Sequence, residues 1–88
     1  MTYKVNPKIL QTPVSDGKLL ILEPEKGLYF ELNEVSVLIF QCIKDGIEIN
    51  EISNRIIAEF DISLQTASSD LEMLLFELSN KNIIFKEL

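Results

Sequence analysis

The hydrophobic pattern of this 88-residue chain changes period near Asn33. Upstream, three short apolar stretches, Lys8 to Thr12, Lys18 to Leu22 and Leu28 to Leu32, lie between turn residues, which predicts an antiparallel meander of three strands. Ser15-Asp16-Gly17 makes the first reversal. Pro24-Glu25-Lys26-Gly27 makes the second, its proline suited to the first corner of a type I turn and its glycine to a positive φ. Downstream the period is 3.6. Asn33 caps a helix to about Ile43 with Val35, Leu38, Ile39 and Cys42 on one face, and Asp45-Gly46 ends it. A second helix, about Ile49 to Phe60, carries Ile49, Ile52, Ile56, Ile57 and Phe60 on one stripe, with Glu51, Asn54, Arg55 and Glu59 outward. Ser63 caps a third, about Leu64 to Asn80, and Ile83-Ile84-Phe85 forms a short extended tail that packs back on the core. The expected fold is α+β: a three-stranded antiparallel sheet, then three helices in the succession of a helix-turn-helix.

If consecutive strands pair, the segment Leu28 to Leu32 has one neighbour and one free edge. Pro7 and Pro13 flank the first strand and blunt the opposite edge, whereas residues 28 to 32 hold no proline, no lysine and a single charge, Glu31. Alternation turns Phe30 and Leu32 toward the core and Tyr29 and Glu31 away. Such an edge accepts a strand from another molecule unless the N-terminal arm, the C-terminal tail or a second copy covers it. Placed at about 100° per residue, the third helix buries Leu64, Ala67, Leu71, Leu74, Leu75 and Leu78. Met73 and Phe76 fall on the far side, in line with Ser69 and Asn80. They form either a wider buried face against the tail or the wall of a groove, where Met73 adapts its shape to a partner and Phe76 offers flat apolar area.

Charge and composition narrow the function classes. Acidic residues outnumber basic ones 14 to 8, for a net charge of -6, so binding to a phosphate backbone starts from repulsion. A DNA-binding winged helix is the alternative the helical layout raises, but Asp70, Glu72 and Glu77 oppose one lysine, Lys81, on the would-be recognition helix. Ser63-Leu64 also suggests a carrier protein, yet Ile62 stands before the serine and a meander has no place in that helical fold. With one cysteine and no histidine, neither an internal disulfide nor a metal site is expected. Cys42 has no base to activate it, so no enzyme and no cofactor are expected. Met1-Thr2-Tyr3-Lys4 opens no signal peptide, and no apolar run approaches the roughly 18 residues of a membrane span, which points to a cytosolic protein. A hydrophobic share of 47% over this length suits one modest core, hence one domain over residues 1–88.

The order and spacing of "GLYFELNEVSVLIFQCIKDG", "INEIS", "FDIS" and "SSDLEMLLFELSNKNII" resemble the PqqD-like proteins, the RiPP recognition elements that bind leader peptides of ribosomally made, modified peptides. The likeness runs from about Lys18 to Ile84 and rests on Leu32-Asn33, the Asp45-Gly46 break, Ile52, and Asp70 with the leucine-rich run. The form from Gly27 to Asn33 is similar to the discrete leader-binding proteins of lasso peptide systems. Two positions depart from the family: Glu48 stands where a Ser or Thr commonly opens the second helix, and Asn82 where a glycine is usual. The resemblance implies a winged helix-turn-helix-like fold and capture of an extended leader as an added strand beside residues 28 to 32, in a groove walled by the third helix. Leu28, Tyr29, Phe30 and Glu31 on the strand, with Ser69, Met73 and Phe76 on the helix, are then the expected peptide contacts. Asp70 and Glu72 flank the helix where a leader Lys or Arg would pass. The implied partners are the precursor leader peptide and separate maturation enzymes, such as a peptidase, cyclase or radical enzyme.

Overall fold

A computed structural model describes residues 1–87. The chain opens with a strand, β1 (Thr2–Val5), and its last described element is a second, β5 (Ile84–Glu87). These two pair antiparallel, with Thr2 opposite Glu87 and Val5 opposite Ile84. Between them lie β2 (Leu10–Pro13), β3 (Leu19–Glu23) and β4 (Leu28–Leu32), then the helices α1 (Glu34–Lys44), α2 (Ile49–Glu59) and α3 (Leu64–Asn80). The meander forms its own antiparallel sheet in the order β2-β3-β4. The fold is therefore α+β, as the change of period predicts.

Local chemistry sets each boundary. Asp16 and Gly17 both take positive φ, 63° and 73°, and Lys18 N–H donates to the Ser15 carbonyl, the type I′ geometry in which Asp-Gly joins two strands. At the second reversal the Glu23 carboxyl folds inward and accepts the backbone N–H groups of Glu25 and Lys26, so a buried polar side chain is held by the turn it shapes. Asn33 Oδ1 accepts Ser36 N–H at 2.9 Å and Ser63 Oγ accepts Thr66 N–H at 3.1 Å, the two predicted N-caps. Glu48 makes no cap bond; its carboxylate pairs with the N-terminal ammonium instead.

Helices α1 and α3 end alike. Gly46 N–H donates to Ile43 O and Ile47 N–H to Cys42 O, the two bonds of a Schellman turn. Past α3, Asn82 at φ 60° takes the glycine's place: its N–H donates to Ser79 O, and Ile83 N–H to Leu78 O. Asparagine tolerates this left-handed conformation better than other side chains, so the departure at position 82 leaves the turn intact.

One core joins the layers: Ile21 and Leu32 from the sheet, Ile39, Phe40 and Ile43 from α1, Ile52 and Ile56 from α2, Leu71 and Leu78 from α3, and Ile83 and Ile84 from the tail. Two features differ from the sequence expectation. The arm and tail form an unforeseen ladder, because four residues with Tyr3 and Val5 turned inward are too few for period two to show against a terminus. Leu64, assigned to the core stripe, is 58% exposed: as the first residue of α3 it borders an open hollow against α2 instead of entering the core.

Candidate functional site

β4 pairs with β3 along one side: Leu19 faces Leu32, Ile21 faces Phe30, and Glu23 faces Leu28. Among the described residues no backbone group pairs along its other side. The arm and the tail, the two segments of this chain able to cover that edge, are bonded to each other and to the helices. Asn6 N–H donates to Ile83 O at 2.8 Å, and Ile49 N–H to Met1 O at 3.1 Å. Alternate residues of an antiparallel strand present both N–H and C=O outward, so five residues leave two or three such sites in a row. They span about 17 Å.

A trough starts at Asn33, the residue that follows β4. One stretch lies between the start of α1 and the flank of α3, lined by Asn33, Val35, Ser36, Asp70, Met73, Leu74 and Glu77. Met73 and Glu77 carry it into a second stretch with Phe76, Asn80 and Lys81. Lys81 Nζ sits 5.5 Å from the centre of the Phe30 ring and 3.7 Å from a Glu77 carboxylate oxygen. That cation bridges α3 to β4. Exposed Met73 and buried Leu74 give the trough apolar surface, and Asp70, Glu77 and Lys81 give it charge.

The expected contact residues divide among three places. Asp70 and Met73 line the trough, and Phe30 reaches it beneath Lys81. Leu28 is exposed at the hairpin end of β4, on Phe30's side by alternation. Phe76, 71% exposed, stands on the crest of α3 between the trough and a shallower hollow shared with Tyr3 and Leu75. Ser69 is exposed and lines neither stretch of the trough. Glu72 lines the opposite flank of α3, facing α2 with Leu64 and Ser68. Tyr29 and Glu31 belong to the outer face of the sheet: Tyr29, 70% exposed, lies in one cross-strand row with Leu22 and Leu10, and Glu31 pairs with Lys18 at 3.6 Å. Sequence reasoning missed Val35, Ser36, Glu77 and Lys81. The last two were within reach, since Asp70, Glu77 and Lys81 share one flank of α3 at seven- and eleven-residue spacing.

Cys42 is buried, and that burial foremost pushes its thiol pKa up. Among the described residues no three of Cys, Asp and Glu converge as a metal would require. None of their helices is long and apolar enough to cross a membrane.

Residues 18–84, from the residue before β3 to the first residue of β5, match the family model described as Coenzyme PQQ synthesis protein D (PqqD). The chain belongs to the PqqD family. This PqqD-family chain is also similar to TbiB1 solved in complex with the TbiA(beta) leader peptide, at 26% identity and a TM-score of 0.83, over 97% of this chain and 98% of that one. A lasso peptide synthetase B1 complexed with its leader peptide shares the fold at 21% identity, with a TM-score of 0.85 and coverage of 98% and 100%. No curated protein matches.

Proposed function

We propose that residues 1–88 act as a single peptide-binding domain that takes up the leader of a ribosomally synthesised precursor peptide as a fourth strand on β4. The observation that carries this reading is the open β4 edge, with a trough along α3 that starts at the residue after β4. Similarity to two proteins solved with leader peptides supports it. Main-chain bonds to the outward amides and carbonyls of β4, each contributing about 0.5 to 1.5 kcal/mol, accept any sequence. Selectivity therefore falls to the side chains that alternate into the trough, where Met73 and Leu74 offer apolar surface and Phe30 a ring face. The acidic flank of α3 argues against the DNA-binding alternative.

Binding serves delivery. The outer face of the sheet carries Leu10, Leu22 and Tyr29 in register, with Leu20 beside them, although an exposed face of an antiparallel sheet ordinarily reads polar. A leader strand added to β4 extends that face, so a cytosolic maturation enzyme docking there meets protein and substrate together. A peptidase, cyclase or radical enzyme acting on the tethered precursor gains local concentration without any chemistry in this chain.

Fluorescence anisotropy with the labelled leader of the precursor encoded beside this gene tests the reading. The parent protein should bind saturably, and Met73→Glu should weaken binding at least about tenfold by placing a charge on that apolar surface. Absence of saturable binding by the parent would refute leader recognition. Equal affinity of the variant would move the site elsewhere.

A further inference from the structure

The trough is charged differently at its two ends. Asp70 marks the end near the start of α1, and its carboxylate has no cationic partner among the described residues. Lys81 marks the other, shared between Glu77 and the Phe30 ring. Eleven residues of helix separate them, about 16 Å, and three turns bring them back to one flank. Met73 and Leu74 fill the space between.

We propose that this trough selects a charge-polarised leader strand, with a Lys or Arg beside Asp70 and an Asp or Glu four or six residues away beside Lys81. The spacing follows from strand geometry. Side chains enter the same face only at even intervals, and four residues advance about 13 Å. The remaining few ångströms lie within the reach of a lysine or arginine stem. A six-residue spacing, about 20 Å, exceeds the separation by the same few ångströms, so either interval serves, whereas two or eight residues miss a pole. A carboxylate at the Lys81 end takes over the ammonium from Glu77, whose pairing at 3.7 Å is partly exposed and loosely held. The protein's net charge of -6 makes the basic residue the one that steers encounter. Because the poles differ, one docking direction is matched and its reverse sets like charges together at both ends.

This inference rests on the leader-binding reading, and a charge-swap titration separates the two. The probes are the synthetic leader of the neighbouring precursor and its variant with the basic residue changed to Glu; the proteins are the parent and Asp70→Lys. Asp70 is exposed, so the variant keeps its fold, checked by circular dichroism. Asp70→Lys should weaken binding of the natural leader about fivefold, more at 50 than at 300 mM salt. The variant leader should lose as much on the parent and regain its affinity on Asp70→Lys. If the parent binds both leaders alike, or the swap restores nothing, the polarity proposal is overturned while leader binding stands. If the parent binds neither leader, leader recognition itself falls.

Discussion

Asn6 holds the N-terminal arm against the far end of α3, and its replacement has a calculable cost. Its Nδ2 donates to Asn82 O at 2.8 Å and its Oδ1 accepts Lys8 N–H at 2.9 Å, in a residue only 8% exposed. Asn6→Ala removes both bonds and leaves a carbonyl and an amide short of a partner in a partly buried site. At about 1 kcal/mol per bond, with a further share for the orphaned groups, the loss comes to about 2 to 3 kcal/mol. A chain of this size has about 4 to 13 kcal/mol of stability in all, so the melting temperature should fall by roughly 10 to 20 °C. Asn6→Asp keeps the acceptor but sets a carboxylate oxygen against the Asn82 carbonyl in a nearly buried site, so at neutral pH it should cost at least as much as Asn6→Ala. Urea titration followed by far-ultraviolet circular dichroism reads all three proteins. A parent-like midpoint for Asn6→Ala would refute the view that Asn6 pins the arm, and with it the reason the arm stays off the β4 edge.

Gly46→Ala places a Cβ at φ 73° and should destabilise by about 1 to 2 kcal/mol, measured in the same titration, whereas Asn82→Gly should stay within about 0.5 kcal/mol of the parent. Leu64→Gln should be nearly neutral because the residue faces solvent, while Leu71→Ala, emptying a core position, should cost about 2 to 5 kcal/mol; similar losses from both would contradict the burial pattern. Cys42 should resist thiol reagents in the native protein. Because its pKa is raised on folding, the thiol's contribution to stability is full below the ordinary thiol range and declines as pH rises above it; rapid native labelling at pH 8 would show the site to be open.

Most of the architecture could be read from residue order because the local signals agree with one another. Asp16-Gly17, Asn33, Gly46 and Ser63 each demand a backbone geometry that short-range chemistry alone fixes. The pairing of β1 with β5 joins residues at opposite ends of the chain, and no local pattern announces such a contact. Leu64 misled for a related reason: helical periodicity says which side of α3 a residue occupies, not whether a neighbouring element covers it. The site divided along the same line. The open edge followed from strand order, and the outward apolar position of Met73 from spacing. The alternation that sends Tyr29 and Glu31 to the outer face was legible too, but their distance from the trough was not, because the trough depends on where α3 lies relative to β4. Lys81 over Phe30 is a tertiary contact between residues 51 positions apart, beyond any reading by period.

Amide hydrogen exchange along β4, with and without the leader, tests the added strand most directly. At a leader concentration 100 times Kd, the outward amides among Leu28 to Leu32 should slow about a hundredfold, while amides that exchange by local fraying away from the site, such as those of the Ser15-Asp16-Gly17 turn, keep their rates. Saturable binding that leaves exchange along Leu28 to Leu32 unchanged would contradict capture at this edge.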